Sequence, residues 1–498
     1  MTGGVGRRAA YLVALLTVLA ACGSTVDPDT YAALQRDGGD GLGLQPPTAG
    51  ATIPGPGGLD PGPGGPGGPS GPGGPGGLPS IPPGATAPGV TADTITIGFV
   101  HGENQSEANR AVGSDEVTAG DEKPMWEALI DEVNDRGGIA GRRIVPVFHP
   151  VDALSNETFD SQLEGACQTF TQDHRVYAAL GAGGFENYIA CLERAGVITL
   201  SVGANYSDDR MFARFPHYVE IDSLSLNRMA RATVESLYRR GYFGPGARIG
   251  VVTYDWPAYD RMLEESLEPA LAAHGLEVLE TARLTFVRRL SDTGTVGSQA
   301  SSAALRFKTR NITHVLVLDS GSALATTFFM EAADNAEYTP RYGLNTLNGG
   351  SQLPTIVPGF PERQLHDSLM LGWQPSTDLA PADFARWPAN ATRRRCLKVM
   401  ADHGLTFDSP NAESGAHSFC GVTWFLERAV EEASAGDAIT TGTFLAGVHA
   451  MGTRFEGGDS MGLRFGPAQH DGVAMAADAA YVESCTCFRY TGSPYSVP

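Results

Sequence analysis

From Asp93 onward, short β-rich apolar runs alternate with stretches whose apolar residues recur every three to four positions. ITIGFV (Ile95 to Val100) reads as a strand. In the stretch opened by Pro124, Trp126, Leu129, Ile130 and Val133 fall at i, i+3, i+4 and i+7, one face of a helix. Asp121 and Glu122 suit its positive start, and Gly137-Gly138 stop it. RRIVPVF (Arg142 to Phe148) is the next strand, followed by a helix from Glu157 to Phe170, strand VYAALG, a helix from Glu186 to Arg194, and strand VITLSVG (Val197 to Gly203). After a short extended piece, HYVEI (His217 to Ile221), the alternation restarts. It predicts a helix over 224–240, strand RIGVVTY, a helix around 261–273 that Pro269 should kink, and strand EVLETARL. A helix near 298–307, strand HVLVLD (His314 to Asp319) and a helix over 323–335 complete the second run.

Continuous apolar strands alternating with helices indicate parallel sheets covered on both faces. The expected fold class is therefore α/β, with two doubly wound parallel-sheet lobes joined by a short link. In open parallel sheets, ligands sit beyond the carboxyl ends of the strands. Two facing lobes place those loops around one cleft. The loops are His101 to Asn104, Gly181 to Asn187, Gly203 to Tyr206, Tyr254 to Tyr259, Asp319 to Ser322 and Asn345 to Ser351. Candidate ligand contacts on them are Glu103, Asn104, Gly183, Gly184, Phe185, Ala204, Asn205, Tyr206, Tyr254, Tyr259, Asp319 and Asn348. Residues of these types occur in any turn, and Asp319 also stands where it can cap a helix. Six such loops at matching positions favour a cleft.

The N-terminal pattern is different. Arg7 and Arg8 precede an apolar run from Ala9 to Ala21, too short to span a membrane and arranged as a secretory signal. Leu19-Ala20-Ala21-Cys22 resembles the bacterial lipoprotein box, which implies removal of residues 1–21 and lipidation of Cys22. Residues 22–91 are then a Gly/Pro-rich linker, with PGPGGPGGPSGPGGPGG at Pro61 to Gly77, and have almost nothing apolar to bury. Fully stretched, its Gly/Pro-dominated part from Gly38 to Gly89, roughly fifty residues, reaches on the order of 150 Å.

Composition narrows the function further. The net charge of -21, with basic residues scattered, argues against nucleic acid as a partner. Setting Cys22 aside leaves six cysteines, an even number that reads as disulfides in an exported protein. Spacing alone leaves fifteen pairings open. The preferred set is Cys167 with Cys191 and Cys396 with Cys420, each bracketing one local unit, and Cys485 with Cys487. Neither metal nor cofactor is expected. There is no phosphate loop ending in GK[ST], no HExxH and no GxGxxG after the first strand, and an enzyme is not expected.

VNDRGGIAGRRI (Val133 to Ile144), ITIGFV, AGVITLSVGAN, YVEIDSLSLNRMARA and VVTYDWPAYDRM together resemble the type I periplasmic binding proteins. The particular likeness is to the branched-chain amino-acid-binding (Leu/Ile/Val-binding) family of ABC-transporter substrate receptors. The resemblance implies two lobes on hinge strands: 92–216 plus about 376–465, and 217–375 plus about 466–498. It implies a lipid-anchored receptor on the outer face of a bacterial cell membrane, its head monomeric, closing on a small polar ligand such as an amino acid or related compound and passing it to an ABC permease. A ligand-sensing receptor of the same fold, signalling to a membrane partner, is the alternative. Carried over residue by residue, the amides of Gly183 and Gly184 replace the family's carboxylate-binding serines. Asn205 stands for a hydroxyl that bridges amine and carboxylate, and Tyr259 matches the family's aromatic. Asn348 lies near the family's acidic residue but is no carboxylate. An aliphatic α-amino acid is therefore a poor fit. Tyr254, Trp256 and Tyr259 suit a ring, sugar or cation, and Glu103, Asp255 and Asp319 suit a positive group.

Overall fold

The computed structural model describes residues 87–111, 121–201, 206–350, 353–356, 359–407, 410–433 and 438–498. Cys22, Ala204 and Asn205, the leader and nearly all of the Gly/Pro linker lie outside these residues. The strands form two separate sheets. The first, in order β2-β1-β3-β4-β5, contains β1 (Thr94–Glu103), β2 (Arg143–Asp152), β3 (Ala178–Gly181), β4 (Ile198–Ser201) and β5 (Tyr218–Glu220), all parallel. HYVEI thus closes the first sheet rather than opening the second lobe at 217. The chain crosses just after it.

Helix α1 (Glu122–Asp135) begins two residues before Pro124, which sits in its first turn, where its missing N–H costs nothing. Trp126 is fully buried between the Phe99 and Phe419 rings and donates Nε1–H to the Val100 carbonyl at 3.2 Å. The Gly-Gly stop has a steric cause: Gly138 has φ +75°, and a Cβ there would lie 2.0 Å from the Arg142 carbonyl oxygen. Helices α2 (Phe159–Gln168) and α3 (Glu186–Arg194) pack together and carry the Cys167–Cys191 disulfide.

The second sheet runs β12-β11-β10-β9-β8-β6-β7. Its parallel core is β6 (Ile249–Asp255), β7 (Val278–Thr285), β8 (His314–Val317), β9 (Arg341–Asn345) and β10 (Leu369–Gly372). Helix α4 (Leu226–Arg239) covers β9 and β10. The helical stretch after β6 comes in three pieces: α5 (Pro257–Met262), a π-helical turn at Leu263–Leu267, and a final turn at Glu268–Ala273. Pro269 enters directly after the π turn, so the register change absorbs the missing donor. Helices α6 (Thr293–Thr309) and α7 (Leu324–Asn335) pack together beyond β7 and β6.

After β10 the chain returns to the first lobe. Helix α8 (Ala391–Asp402) packs on α1, and α9 (Pro410–Ala433) packs on α1, β3 and β4. Cys396–Cys420 ties α8 to α9. From α10 (Thr441–Met451) a third segment crosses back and supplies the antiparallel strands β11 (Met475–Val482), β12 (Cys487–Tyr490) and β13 (Tyr495–Ser496). Cys485–Cys487 closes the turn between β11 and β12, so all three pairs agree with the expected connectivity.

Three buried acids occupy the three crossings: Asp222 after β5, Asp378 after β10 and Asp459 after α10. Asp459 Oδ1 accepts the Ser376 amide at 3.1 Å, Asp378 Oδ2 accepts Tyr490 Oη at 2.6 Å, and Asp222 Oδ1 accepts Ser460 Oγ at 3.1 Å. Burial pushes Asp459 and Asp378 up to about 7 and Asp222 up to about 6. An acid with a raised folded-state pKa holds its proton in the folded chain after the unfolded chain has lost it. Its stabilisation is complete below about pH 4 and disappears as pH rises through the folded value. Asp459→Asn is expected to flatten the loss of stability between about pH 4 and pH 7, measured by urea unfolding. An unchanged slope would remove Asp459 from this account.

Candidate functional site

The carboxyl ends of β3, β4 and β5 are drawn together by side chains rather than by strand pairing alone. Tyr218 and Glu220 share one face of β5, two residues apart. Tyr218 Oη bonds the Glu220 carboxylate, receives the Gly184 amide at 3.0 Å, and lies 2.9 Å from Ser207 Oγ. Ser207 Oγ also donates to Glu220 Oε1 at 3.2 Å. The Gly183-Gly184 loop is pressed onto this group: a Cβ on Gly183 would lie 2.2 Å from Ser201 Oγ, and Gly184 has φ +77°. Glu220 is 2% exposed, and among the described residues its Oε2 has no hydrogen-bond partner. Burial, ahead of the nearby Asp471 charge, raises its carboxyl to about 8.

Across the gap, the ends of β6 and β7 present aromatic side chains. Phe286 contacts Tyr206 and Phe185 of the first lobe, with ring centroids 4.9 and 6.3 Å apart, and stacks on Trp256 at 4.7 Å. Tyr254 meets Phe286 and Tyr259 edge-on. These rings form a seam between the lobes. Ion pairs flank it: Arg288 with Asp160, and Arg261 with Asp208. The Phe159 amide also donates to the Arg288 carbonyl at 2.8 Å.

The sequence-predicted contacts other than Ala204 and Asn205, which lie outside the described residues, separate into three groups. Gly183, Gly184, Phe185, Tyr206, Tyr254 and Tyr259 are brought to this junction. Asp319 is fully buried, but its carboxylate already accepts Tyr254 Oη, the Ser320 and Thr326 amides and Thr326 Oγ1, at 2.7 to 2.9 Å. It thereby caps α7. Asn348 is likewise spent, donating to the Val317 carbonyl and Thr326 Oγ1 and accepting the Asn345 amide. Tyr259 Oη is held by the Asp319 carbonyl at 3.1 Å. Glu103 and Asn104 are exposed at the end of β1, three strands from β5 or roughly 14 Å, and Asn104 bonds Asp152. They do not join the junction.

Glu220, Tyr218, Ser207 and Phe286 were not anticipated from the sequence. The available signal was the lone acid ending an apolar strand, on the same face as Tyr218. The pentapeptide Gly458-Asp459-Ser460-Met461-Gly462 has nucleophile-elbow spacing. It lies in the irregular third crossing, not at a strand-to-helix turn, and Ser460 bonds Asp222.

No protein family and no curated protein matches the chain by sequence. Solved structures do match. An ABC-transporter substrate-binding protein of Aeropyrum pernix is 16% identical, with 82% of this chain and 97% of that one covered and a TM-score of 0.58. A branched-chain amino-acid ABC-transporter protein of Thermus thermophilus with bound valine is 14% identical, covering 81% and 97%, at 0.56. A solute-binding protein of an R. palustris ABC transporter in complex with 4-hydroxybenzoate is 12% identical, covering 81% and 98%, at 0.57. The fold is that of a type I periplasmic binding protein. In a type I periplasmic-binding-protein fold the two rims described above, first-lobe and second-lobe, are the facing walls of the interlobe cleft. No helix among the described residues is long and apolar enough to cross a membrane.

Proposed function

We propose that the chain is an extracytoplasmic solute receptor that closes two lobes around a small polar ligand and delivers it to an ABC importer. The observation carrying this reading is the junction itself: Phe185 and Tyr206 of one lobe meet Phe286 of the other, which packs on Tyr254, and the Gly184 amide beside them holds the Tyr218–Glu220 pair. The three crossings beside it are the natural hinge. Cys22 is the lipid anchor, and the 22–91 linker lets the head stand off the membrane. A polar rim and an aromatic rim that gather at a hinge suit reversible capture better than catalysis.

A thermal-shift screen of the full chain tests this, with amino acids, peptides, sugars, amines and aromatic acids. A true ligand at 100 times its Kd should add about 2.7 kcal/mol of stability by mass action. A screen in which no solute moves the melting temperature contradicts the reading. Recovery of a sensor kinase rather than a permease with the anchored protein would favour signalling in trans.

A further inference from the structure

We propose that Glu220 anchors a cationic group of the solute, so that the ligand is an amine rather than a carboxylic or zwitterionic acid. This rests on the solute-receptor reading and goes beyond it by naming the ligand class. The geometry supplies three arguments. First, Oε2 is a deeply buried acceptor with no donor among the described residues, whereas Oε1 is served by Tyr218 and Ser207. A buried acceptor left unsatisfied is costly, and a ligand N–H answers it. Second, among the described residues an amide and two guanidinium groups that could hold a carboxylate there are already partnered. The Gly184 amide at the start of α3 is spent on Tyr218 Oη. Arg261 and Arg228, whose partners Asp208 and Asp471 lie beside Ser207 and Glu220 in the chain or the sheet, are both paired with acids. Third, the Tyr206 ring lies 2.5 Å from where a Cβ on Gly184 would sit, and the Gly184 amide holds Tyr218 beside Glu220, so an aromatic face that favours cations is close by.

Among the described residues, the groups that face Glu220 come from four elements. Tyr218 lies on its own strand, and Ser207 and Tyr206 come from the loop after β4. His470 and Asp471 lie in the third crossing, where the Glu220 amide donates to the His470 carbonyl at 2.9 Å, and Tyr259 belongs to α5. Arg228 neutralises Asp471 rather than Glu220. A cation binding at Glu220 must displace the proton that burial retains there. Affinity for amines should therefore rise about tenfold from pH 6.5 to pH 8.

The test is calorimetric titration of the full chain with matched probes: tyramine against phloretate, putrescine against succinate, and isoamylamine against isocaproate and leucine. The expected result is that at least one amine binds tenfold or more tightly than its acidic counterpart. Binding should release a proton, seen as a heat that depends on the buffer. Glu220→Gln should weaken that amine at least tenfold while leaving the ligand-free melting temperature unchanged or higher. The conservative Glu220→Asp variant should recover part of the affinity if the charge is what matters. An acid or zwitterion that binds as well as its amine, or an amine whose affinity survives Glu220→Gln, overturns the assignment and leaves the solute-receptor reading standing. Failure of every compound here and in the wider solute screen overturns both.

Discussion

Arg228→Ala should destabilise the folded chain by about 3–5 kcal/mol, seen as a lower urea midpoint. The guanidinium is buried and makes four contacts. Nη1 donates to Asp471 Oδ2 at 2.6 Å and to the Asp471 carbonyl at 3.3 Å; Nη2 reaches the Val473 carbonyl and Nε the Pro498 carbonyl. Asp471 lies in the third crossing, and its Oδ2 also accepts the Ser225 amide of the first. Arg228 therefore fastens α4 to two crossings and to the C-terminal strand region. Burial already raises the Asp471 carboxyl, and removing its cationic partner leaves an uncompensated buried acid. Asp471→Asn in the same background should return part of the loss, since an amide needs no counter-charge. A single-variant loss below 1 kcal/mol would show that the crossings are held by something else.

Phe286→Ala is the second large effect, and it acts on the seam rather than on one core. Truncating a buried phenylalanine costs about 3–5 kcal/mol. Here part of the loss is within the second lobe, against Trp256 and Tyr254, and part is across the cleft, against Phe185 and Tyr206. Only the second part depends on closure. The variant should thus shift the lobes toward the open arrangement and weaken solute binding about tenfold or more. Its urea midpoint should fall less than that of Arg228→Ala. A full loss of folding stability with unaltered solute affinity would place Phe286 in the second-lobe core alone.

Much of this architecture was legible in the chain because parallel sheets buried on both faces require continuous apolar strands. RIGVVTY and HVLVLD became β6 and β8 with shifts of a residue or two. The cysteine pairing was legible because each long-range pair brackets one helical unit. HYVEI was harder. Its five residues have strand character, but which sheet they join depends on the third crossing, whose Asp471 pairs beside Glu220 from 251 residues away. No local pattern carries that information. The same holds for the site. The rim glycines and tyrosines follow from topology, whereas Glu220 depends on Ser207 and Gly184 converging on Tyr218. Asp319 and Asn348 looked like ligand groups because both are polar and follow strands. The fold uses them to close its own turns, satisfying backbone amides that would otherwise be buried unpaired.

The central claim is that the two sheets are hinged halves that approach each other when a solute occupies the space between their rims. Spin labels on Ser161→Cys and Thr295→Cys in a Cys22→Ala background flank the Arg288–Asp160 contact, and both positions are exposed. Pulsed electron resonance then reads the interlobe distance directly. Saturation with the solute found by thermal shift should collapse a broad distribution into one narrow, short distance. An identical distribution with and without that solute would contradict the account.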